Sequence, residues 1–144
     1  MKLIKIETNA IQHIWPYVEE FVRLPIDKSL GERSVEDILY SLIQGQLDLW
    51  ICVEEGKGIL GVMVTQVVFY PQFKTLCLYL VGSKPHTIDK WCDQTWNNPD
   101  NELMQYCRQN NIKHIEGYVR SGWLKKLLKY GFKKYRTVVI KEVN

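Results

Sequence analysis

The stretch that decides the fold is Thr75-Leu-Cys-Leu-Tyr-Leu-Val81, which is followed by Gly82-Ser-Lys-Pro-His86 and by a helical pattern from Thr87. Its apolar and β-favouring residues predict a strand, and the glycine predicts a turn from that strand into a helix. The first N–H groups of a helix have no partner within the helix, and their dipoles favour a bound anion. The turn is therefore a candidate binding site.

Upstream of this strand, the sequence predicts one short strand and two helices. Lysines alternate with apolar residues over residues 2–7, which is typical of an edge strand. Apolar residues then recur at three- and four-residue spacing over residues 8–25 and again over residues 34–45. Ser34 and Asp37 have the spacing of a capping box at the start of the second helix.

The middle of the chain changes to a strand pattern. Residues 47–53, 59–70 and 75–81 are rich in β-branched and aromatic residues, and short turns connect them. Gly61 marks a bulge within the second of these strands. Three consecutive strands with short links predict an antiparallel meander.

The last part of the chain alternates helices and strands. We expect helix over residues 87–111 with a break at Asn98-Pro99, a strand over residues 112–119, a short helix from its cap Ser121 to Gly131, and a last strand over Tyr135–Val143. The order β-α-α-β-β-β-α-β-α-β predicts an α+β fold with a single mixed, mainly antiparallel sheet and helices on both faces.

The composition is that of one globular domain over residues 1–144, with 46% hydrophobic and 24% charged residues. The four cysteines are widely spaced without a CxxC pair, which favours buried free thiols in a reducing cytoplasm over a zinc site or a disulfide framework. The first residues do not have the pattern of a signal peptide, and no apolar run approaches the ~20 residues of a membrane span. We therefore expect a cytoplasmic protein without a membrane segment.

Charge is unevenly distributed along the chain. Residues 120–141 carry eight basic side chains and no acidic one, whereas the net charge of the whole chain is only +3. This pattern fits a solvated helix face and strand edge, or a positive field that attracts a nucleotide-bearing cofactor or nucleic acid. The three histidines lack metal-ligand spacing, so no metal site is expected, and the five tryptophans fit core packing better than base stacking.

Three stretches carry a family resemblance. They are Gly45-Gln-Leu-Asp-Leu-Trp50, then Ile59-Leu-Gly-Val-Met-Val-Thr65 leading to Tyr70-Pro71, and Ile115-Glu-Gly-Tyr-Val-Arg-Ser-Gly-Trp123 with Lys129-Tyr-Gly-Phe132. With the element order, they resemble GNAT acyltransferases, and in particular the divergent GNAT-like proteins of bacteriophages and prophages. The resemblance covers nearly the whole chain.

The resemblance implies that acetyl-CoA lies in a V-shaped gap between the fourth and fifth strands. The fourth strand would hold the pantetheine arm, and the following loop would hold the pyrophosphate, although the glycine motif of the family is absent and Pro85 removes one amide. Lys84 would compensate with its charge and His86 with a hydrogen bond. The implied binding residues are Tyr79, Leu80 and Val81 on the strand and Gly82, Ser83, Lys84, His86 and Thr87 in the loop.

The catalytic pair typical of the family is also missing. Residues 59–70 and 75–81 contain no carboxylate, and the position of the usual helical tyrosine falls on Leu127. Glu116 and Tyr118 project to one face of the next strand and are the candidate base and acid. The alternative is that Glu116 is an ion-paired surface residue.

Two functions from different classes follow from the resemblance. The first is an N-acetyltransferase that uses acetyl-CoA and an amine acceptor. The alternative is a catalytically inactive phage structural or interaction protein that retains the fold, in the host cytoplasm or associated with the virion. Nucleic-acid binding through the basic final third is less favoured.

The resemblance also implies a specific geometry. We expect residues 75–81 to diverge from residues 112–119 and to leave a cleft floored by Tyr79, Val81, Glu116 and Tyr118. Trp123 and Phe132, at the start and just after the end of the short helix, are expected to be structural.

Overall fold

A computed structural model describes residues 1–143. Within them the chain forms five strands and five α-helices, and a short 3-10 turn precedes the first helix and follows the last. In chain order these are β1 (Lys2–Lys5), α1 (Ile11–Ile26), α2 (Val35–Ile43), β2 (Asp48–Glu54), β3 (Gly58–Phe69), β4 (Lys74–Ser83), α3 (Ile88–Trp96), α4 (Glu102–Gln109), β5 (Ile112–Gly117) and α5 (Ser121–Leu127).

The strands form one sheet in the order β1-β2-β3-β4-β5. The pairs β1/β2, β2/β3 and β3/β4 are antiparallel, and β5 is parallel to β4 because α3 and α4 carry the chain back across the sheet. The predicted α+β class, with a mixed, mainly antiparallel sheet and helices on both faces, is confirmed. The predicted bulge is present as well, since Cys52 pairs with Gly61 but Val53 pairs with Ile59.

Each face of the sheet supports its own hydrophobic core, because side chains alternate between the faces along every strand. One core lies under α1 and α2, and the other lies under α3 and α4. The first contains Ile11, Val18, Val22, Val35, Ile38, Leu42, Leu49, Val62, Val64 and Leu80; the second contains Leu3, Trp50, Cys52, Met63, Leu76, Trp91, Leu103 and Cys107.

Strand β4 extends further than the sequence predicted. Gly82 and Ser83 were expected to form the turn, but they belong to the strand and pair with Val62 and Gly61 of β3. The chain leaves the sheet only at Lys84. The need for glycine at position 82 therefore has a different physical cause from the predicted turn.

That reason is close contact with α1. A Cβ atom at Gly82 would lie 1.9 Å from the carbonyl oxygen of Phe21, so only glycine lets the helix rest directly on the strand. Pro25 is four residues after Phe21 in α1, and proline has no N–H to donate to that carbonyl. The Phe21 carbonyl, which lacks its usual helical donor, therefore lies against the backbone of Gly82.

The C-terminal segment differs from the prediction. No strand is formed over Tyr135–Val143; this part of the chain is exposed, and Val139 is 87% accessible. β-Favouring residues indicate suitability for a sheet but do not provide a neighbouring strand, and here β5 leaves its outer edge unpaired among the described residues. Ser121 was expected to cap α5, but it is the first residue of the helix, and Arg120 occupies the N-cap position without a side-chain cap hydrogen bond.

Two aromatic residues near α5, Phe132 and Trp123, were expected to have structural roles. Phe132 packs edge-to-face against Trp96 of α3, with ring centroids 5.0 Å apart, directly after Gly131 closes the preceding turn with a φ of +86°. This contact gives Phe132 the structural role expected for it. Trp123 is half-buried, and its structural role stays a prediction.

We predict that Gly82→Ala destabilises the fold by about 3 kcal/mol, because the added methyl group must push α1 away from β4. Gly122→Ala is the matched control, since a Cβ there meets no atom within 4 Å and alanine favours the surrounding helix. Urea unfolding of both variants measures the difference. Equal unfolding midpoints for Gly82→Ala and the wild type would contradict the contact.

Candidate functional site

The candidate site begins where β4 and β5 separate. The two strands pair from Lys74 with Ile112 to Leu78 with Gly117, and no later pair follows. Strand β4 continues to Ser83, whereas the chain after Gly117 leaves the sheet. The expected divergence is thus present beyond Leu78 only, and within residues 1–143 the β4 edge over residues 79–83 has no strand partner on that side.

Tyr79 lies at the point of separation. Val64 pairs with Leu80 and Thr65 with Leu78, so Tyr79 is the extra residue of a bulge in β4. Leu80 then belongs to the core under α1 and α2, while Val81 packs against the core under α3 and α4. A bulge leaves backbone groups out of the ladder, and it does so here at the apex of the split.

The start of α3 faces the end of β4. The N–H of Lys84 donates to the Leu60 carbonyl at 2.9 Å, and His86 adopts the left-handed conformation with φ of 62°. Thr87 holds the N-cap position, yet its hydroxyl donates to the Pro85 carbonyl at 3.4 Å and does not cap the helix. The first-turn amides of α3 therefore have no side-chain cap and are available to an anion.

Charges around this helix start are mixed. The side chain of Lys84 is exposed, whereas Asp89 in the first turn of α3 accepts a hydrogen bond from Lys126 of α5. That contact, with the nearby Lys129, lowers the pKa of Asp89 and keeps the carboxylate charged. The ion pair offsets the negative charge that would otherwise repel an anion at the helix start.

Glu116 lies at the base of the split. It pairs with Cys77, whose neighbours Leu76 and Leu78 face α3 and α4, so Glu116 projects to the face that bears α1 and α2. Its Oε1 accepts a hydrogen bond of 2.9 Å from the hydroxyl of Tyr70, just beyond β3. The Glu116 carboxylate is thus held by a neutral hydroxyl and has no cationic partner within ion-pair distance among residues 1–143.

The bond to Glu116 raises the pKa of Tyr70 above its ordinary value of 10.0. A raised pKa means that the hydroxyl stays protonated, and keeps donating, throughout the neutral range. Phe73 packs against both Tyr70 and His114, with ring centroids 5.5 and 4.8 Å apart. The carboxylate therefore lies beside a small aromatic cluster.

The predicted acid, Tyr118, follows β5 on the diverging part of the chain and is 73% exposed. Leu127 is buried, so the position of the usual helical tyrosine contributes no polar group. The nearby Tyr130 donates its hydroxyl to Asp93 at 2.6 Å, which raises the pKa of Tyr130 to about 12. Tyr118 thus follows β5, while Tyr70 follows β3 and reaches Glu116 through its hydroxyl.

Cysteine and metal chemistry are not supported elsewhere in the described residues. All four cysteines are buried and free, as predicted, and burial raises each thiol pKa to about 11. Within residues 1–143 no three His, Cys, Asp or Glu side chains are grouped to hold a metal ion. An open polar depression of about 410 Å³, lined partly by Met1 and Asn97, lies on the other side of α3 and holds no candidate catalytic group.

Two residues of this region were not singled out from the sequence. Tyr70 entered only as part of the resemblance, although it touches Glu116. Arg33, in the loop between α1 and α2, lies with its guanidinium carbon 5.3 Å from the centre of the Tyr79 ring. Both contacts join residues far apart in sequence, which local patterns do not reveal.

Comparisons with known proteins agree with this architecture. No protein-family model matches the sequence, and no curated protein matches it. A crystal structure of a probable acetyltransferase superposes with a TM-score of 0.71 at 10% identity, covering 100% of this chain and 99% of that one. A predicted acetyltransferase with acetyl-CoA from Clostridium acetobutylicum gives 0.63 at 16% identity, with coverages of 99% and 95%.

A third similar structure is an aminoglycoside acetyltransferase, meta-AAC0020, from an uncultured soil metagenomic sample in complex with sisomicin. Its TM-score is 0.61 at 13% identity, over 99% of this chain and 95% of that one. At such identities the likeness establishes the fold and not the activity. No helix of the described residues is long and apolar enough to cross a bilayer. The chain has the fold of the GNAT acetyltransferases.

Proposed function

We propose that this protein transfers an acetyl group from acetyl-CoA to an amine. The observation that carries the proposal is the free edge of β4 over residues 79–83, which begins at a bulge and leads to the uncapped start of α3. An extended amide-bearing molecule adds to such an edge as a strand does. A phosphate at the far end of that molecule meets the first-turn amides of α3.

The residues present fit such a donor. Tyr79, Leu80 and Val81 offer backbone groups to the pantetheine arm, while Ser83, Lys84, His86 and Thr87 surround the helix start where the pyrophosphate binds. Pro85 lacks an amide, and the exposed Lys84 compensates for it with charge. Gly82 contributes by admitting α1 to the sheet rather than by approaching a phosphate, because its missing side chain faces Phe21.

Glu116 is the proposed general base. Its carboxylate lies one residue before the last paired residue of β5, beside the bulge at Tyr79, and takes the proton that the amine loses on attack. Tyr70 holds the carboxylate in position through its 2.9 Å hydrogen bond. An unpaired backbone N–H at the bulge is suited to the oxygen that becomes negative during the transfer.

Proton balance then requires an acid for the departing thiolate. A C–N bond forms, the C–S bond breaks, and the sulfur takes a proton. Tyr118 is the proposed donor because it directly follows β5 where the chain diverges from β4, and the family's usual position is a buried leucine. The acceptor is an amine, as it is for the aminoglycoside acetyltransferase with this fold. We infer that the protein acts in the cytoplasm. We also infer, from the sequence resemblance, that it originates in a phage.

Isothermal titration with acetyl-CoA tests the proposal directly. The wild type is expected to bind in the micromolar-to-millimolar range at low salt, and Lys84→Ala is expected to bind several-fold more weakly, because one exposed charge contact contributes about 1 kcal/mol or less. Lys57→Ala, in the hairpin between β2 and β3, is the matched control. Absence of binding by the wild type at millimolar ligand would contradict the acetyltransferase and favour the inactive structural or interaction protein.

A second prediction separates catalysis from binding. Glu116→Gln is expected to lower kcat by about 10²–10⁴-fold with acetyl-CoA affinity unchanged, because the amide cannot accept the proton. Tyr70→Phe is expected to lower kcat about tenfold, since only the positioning hydrogen bond is lost. The measurement is the rate at which a panel of amines is acetylated, detected through the free thiol that CoA releases.

Glu55→Gln, at the exposed hairpin turn between β2 and β3, is the control for the loss of a carboxylate. Because the hydrogen bond to Glu116 raises the pKa of Tyr70, ionisation of Tyr70 is expected to cause no decline in wild-type activity in the neutral range. A Glu116→Gln variant with wild-type kcat would remove Glu116 from the mechanism.

A further inference from the structure

The loop between α1 and α2 spans the split between β4 and β5. On one side, its Arg33 lies over the ring of Tyr79 on β4, at 5.3 Å. On the other, the carbonyl of its Lys28 accepts a hydrogen bond of 3.3 Å from Nη2 of Arg120, which follows β5. The loop therefore contacts β4 at Tyr79 and the segment that follows β5 at Arg120, and the Tyr79 contact lies on the face to which Glu116 projects.

The arginines of the chain fall into two groups. Arg23 pairs with Glu19 at 2.9 Å, and Arg108 pairs with Asp100 at 3.3 Å. The other three, Arg33, Arg120 and Arg136, have no carboxylate within ion-pair distance among residues 1–143. Two of these three unpaired guanidinium groups border the split, since Arg33 lies over Tyr79 and Arg120 follows β5.

One carboxylate lies near Arg33 without forming an ion pair with it: hydrogen bonds with Ser34 and, less strongly, the charge of Arg33 lower the pKa of Asp37. The loop contains Asp27 and Glu32, but neither forms an ion pair with a described arginine. Arg136 lies near Tyr70, because its charge partly offsets the rise in the Tyr70 pKa that Glu116 causes. A guanidinium group offers a planar fork of donors that matches a carboxylate or a phosphate, and Arg33 has all of these donors unused by described protein acceptors.

We propose that Arg33 and Arg120 bind an anionic group, a carboxylate or a phosphate, on the amine acceptor. This inference rests on the proposed acetyl transfer, in which Glu116 receives the proton of the amine. An acceptor with an amine near Glu116 and an acidic group under the α1–α2 loop satisfies both ends of the site. Amines with several positive charges and no acidic group are disfavoured, because they place cation against Arg33 and Arg120.

Matched amines that differ only in the acidic group test the proposal. The probes are O-phosphoethanolamine against ethanolamine, and β-alanine against β-alaninamide, titrated calorimetrically into the wild type, Arg33→Gln and Arg120→Gln. Arg108→Gln is the control, because it removes an arginine on the far surface. The wild type and the control are expected to prefer the acidic member by about tenfold, and both site variants by about twofold or less.

The donor is a second source of phosphate, and the titrations separate the two. If the arginines serve the acceptor, acetyl-CoA binds Arg33→Gln and Arg120→Gln as it binds the wild type, and CoA does not displace O-phosphoethanolamine. Weaker acetyl-CoA binding by both variants, with displacement of the probe by CoA, would assign the arginines to the donor and overturn the proposal. Urea unfolding of each variant confirms that the fold is retained.

Acetyl transfer to the same probes keeps the two proposals distinguishable. Transfer at equal rates to both members of each pair would overturn the anion subsite and leave the acetyltransferase intact. Charge-dependent binding without any acetyl transfer would support the subsite and remove the acetyltransferase. Binding of neither acidic probe in the millimolar range would overturn the subsite.

Discussion

Strand β4 is hydrogen-bonded to β5 along only half of its length, and the rest of the candidate site depends on this partial pairing. Unpaired backbone groups in a sheet cost free energy unless water or a ligand satisfies them. Here the unpaired edge lies between the bulge at Tyr79 and the start of α3. Residues 79–83 thus present a row of backbone hydrogen-bond donors and acceptors, and this row needs no catalytic side chain.

Helix α1 keeps β4 in place while its other edge is free. The Gly82 backbone lies against the Phe21 carbonyl, and Pro25 removes the helical donor that this carbonyl would otherwise have. The same helix leads into the loop that carries Lys28 and Arg33 across the split. One packing contact therefore positions both the free edge of β4 and the loop that lies beside it.

Much of this architecture was predictable from local patterns. The switch from helical spacing to β-branched runs, the capping box at Ser34 and the left-handed Gly131 each identified an element or its end. The length of β4 was not predictable, because Gly82 is typical of a turn but is required here by contact with α1. The prediction of a last strand was wrong: the pattern of residues 135–143 describes a side-chain preference, and this exposed segment does not pair with the free outer edge of β5.

The candidate site was likewise predictable from the sequence only in part. The element order and the family resemblance predicted that Glu116 and residues 79–81 lie near the separation of β4 from β5, and their roles in binding and catalysis stay proposals. The Tyr70 hydrogen bond, the Arg33 contact and the Arg120 contact depend on three-dimensional proximity between segments 46, 46 and 92 residues apart, which no local pattern encodes.

Amide hydrogen exchange tests the central claim most directly. In the free protein, the amides of residues 79–83 that point away from β3 are expected to exchange fast, while those of residues 75–78 are slow. Saturating CoA is expected to slow exchange in residues 79–83 and at the start of α3, and to leave residues 75–78 unchanged. Slow exchange along all of β4 without ligand, or no change when CoA is added, would contradict the account.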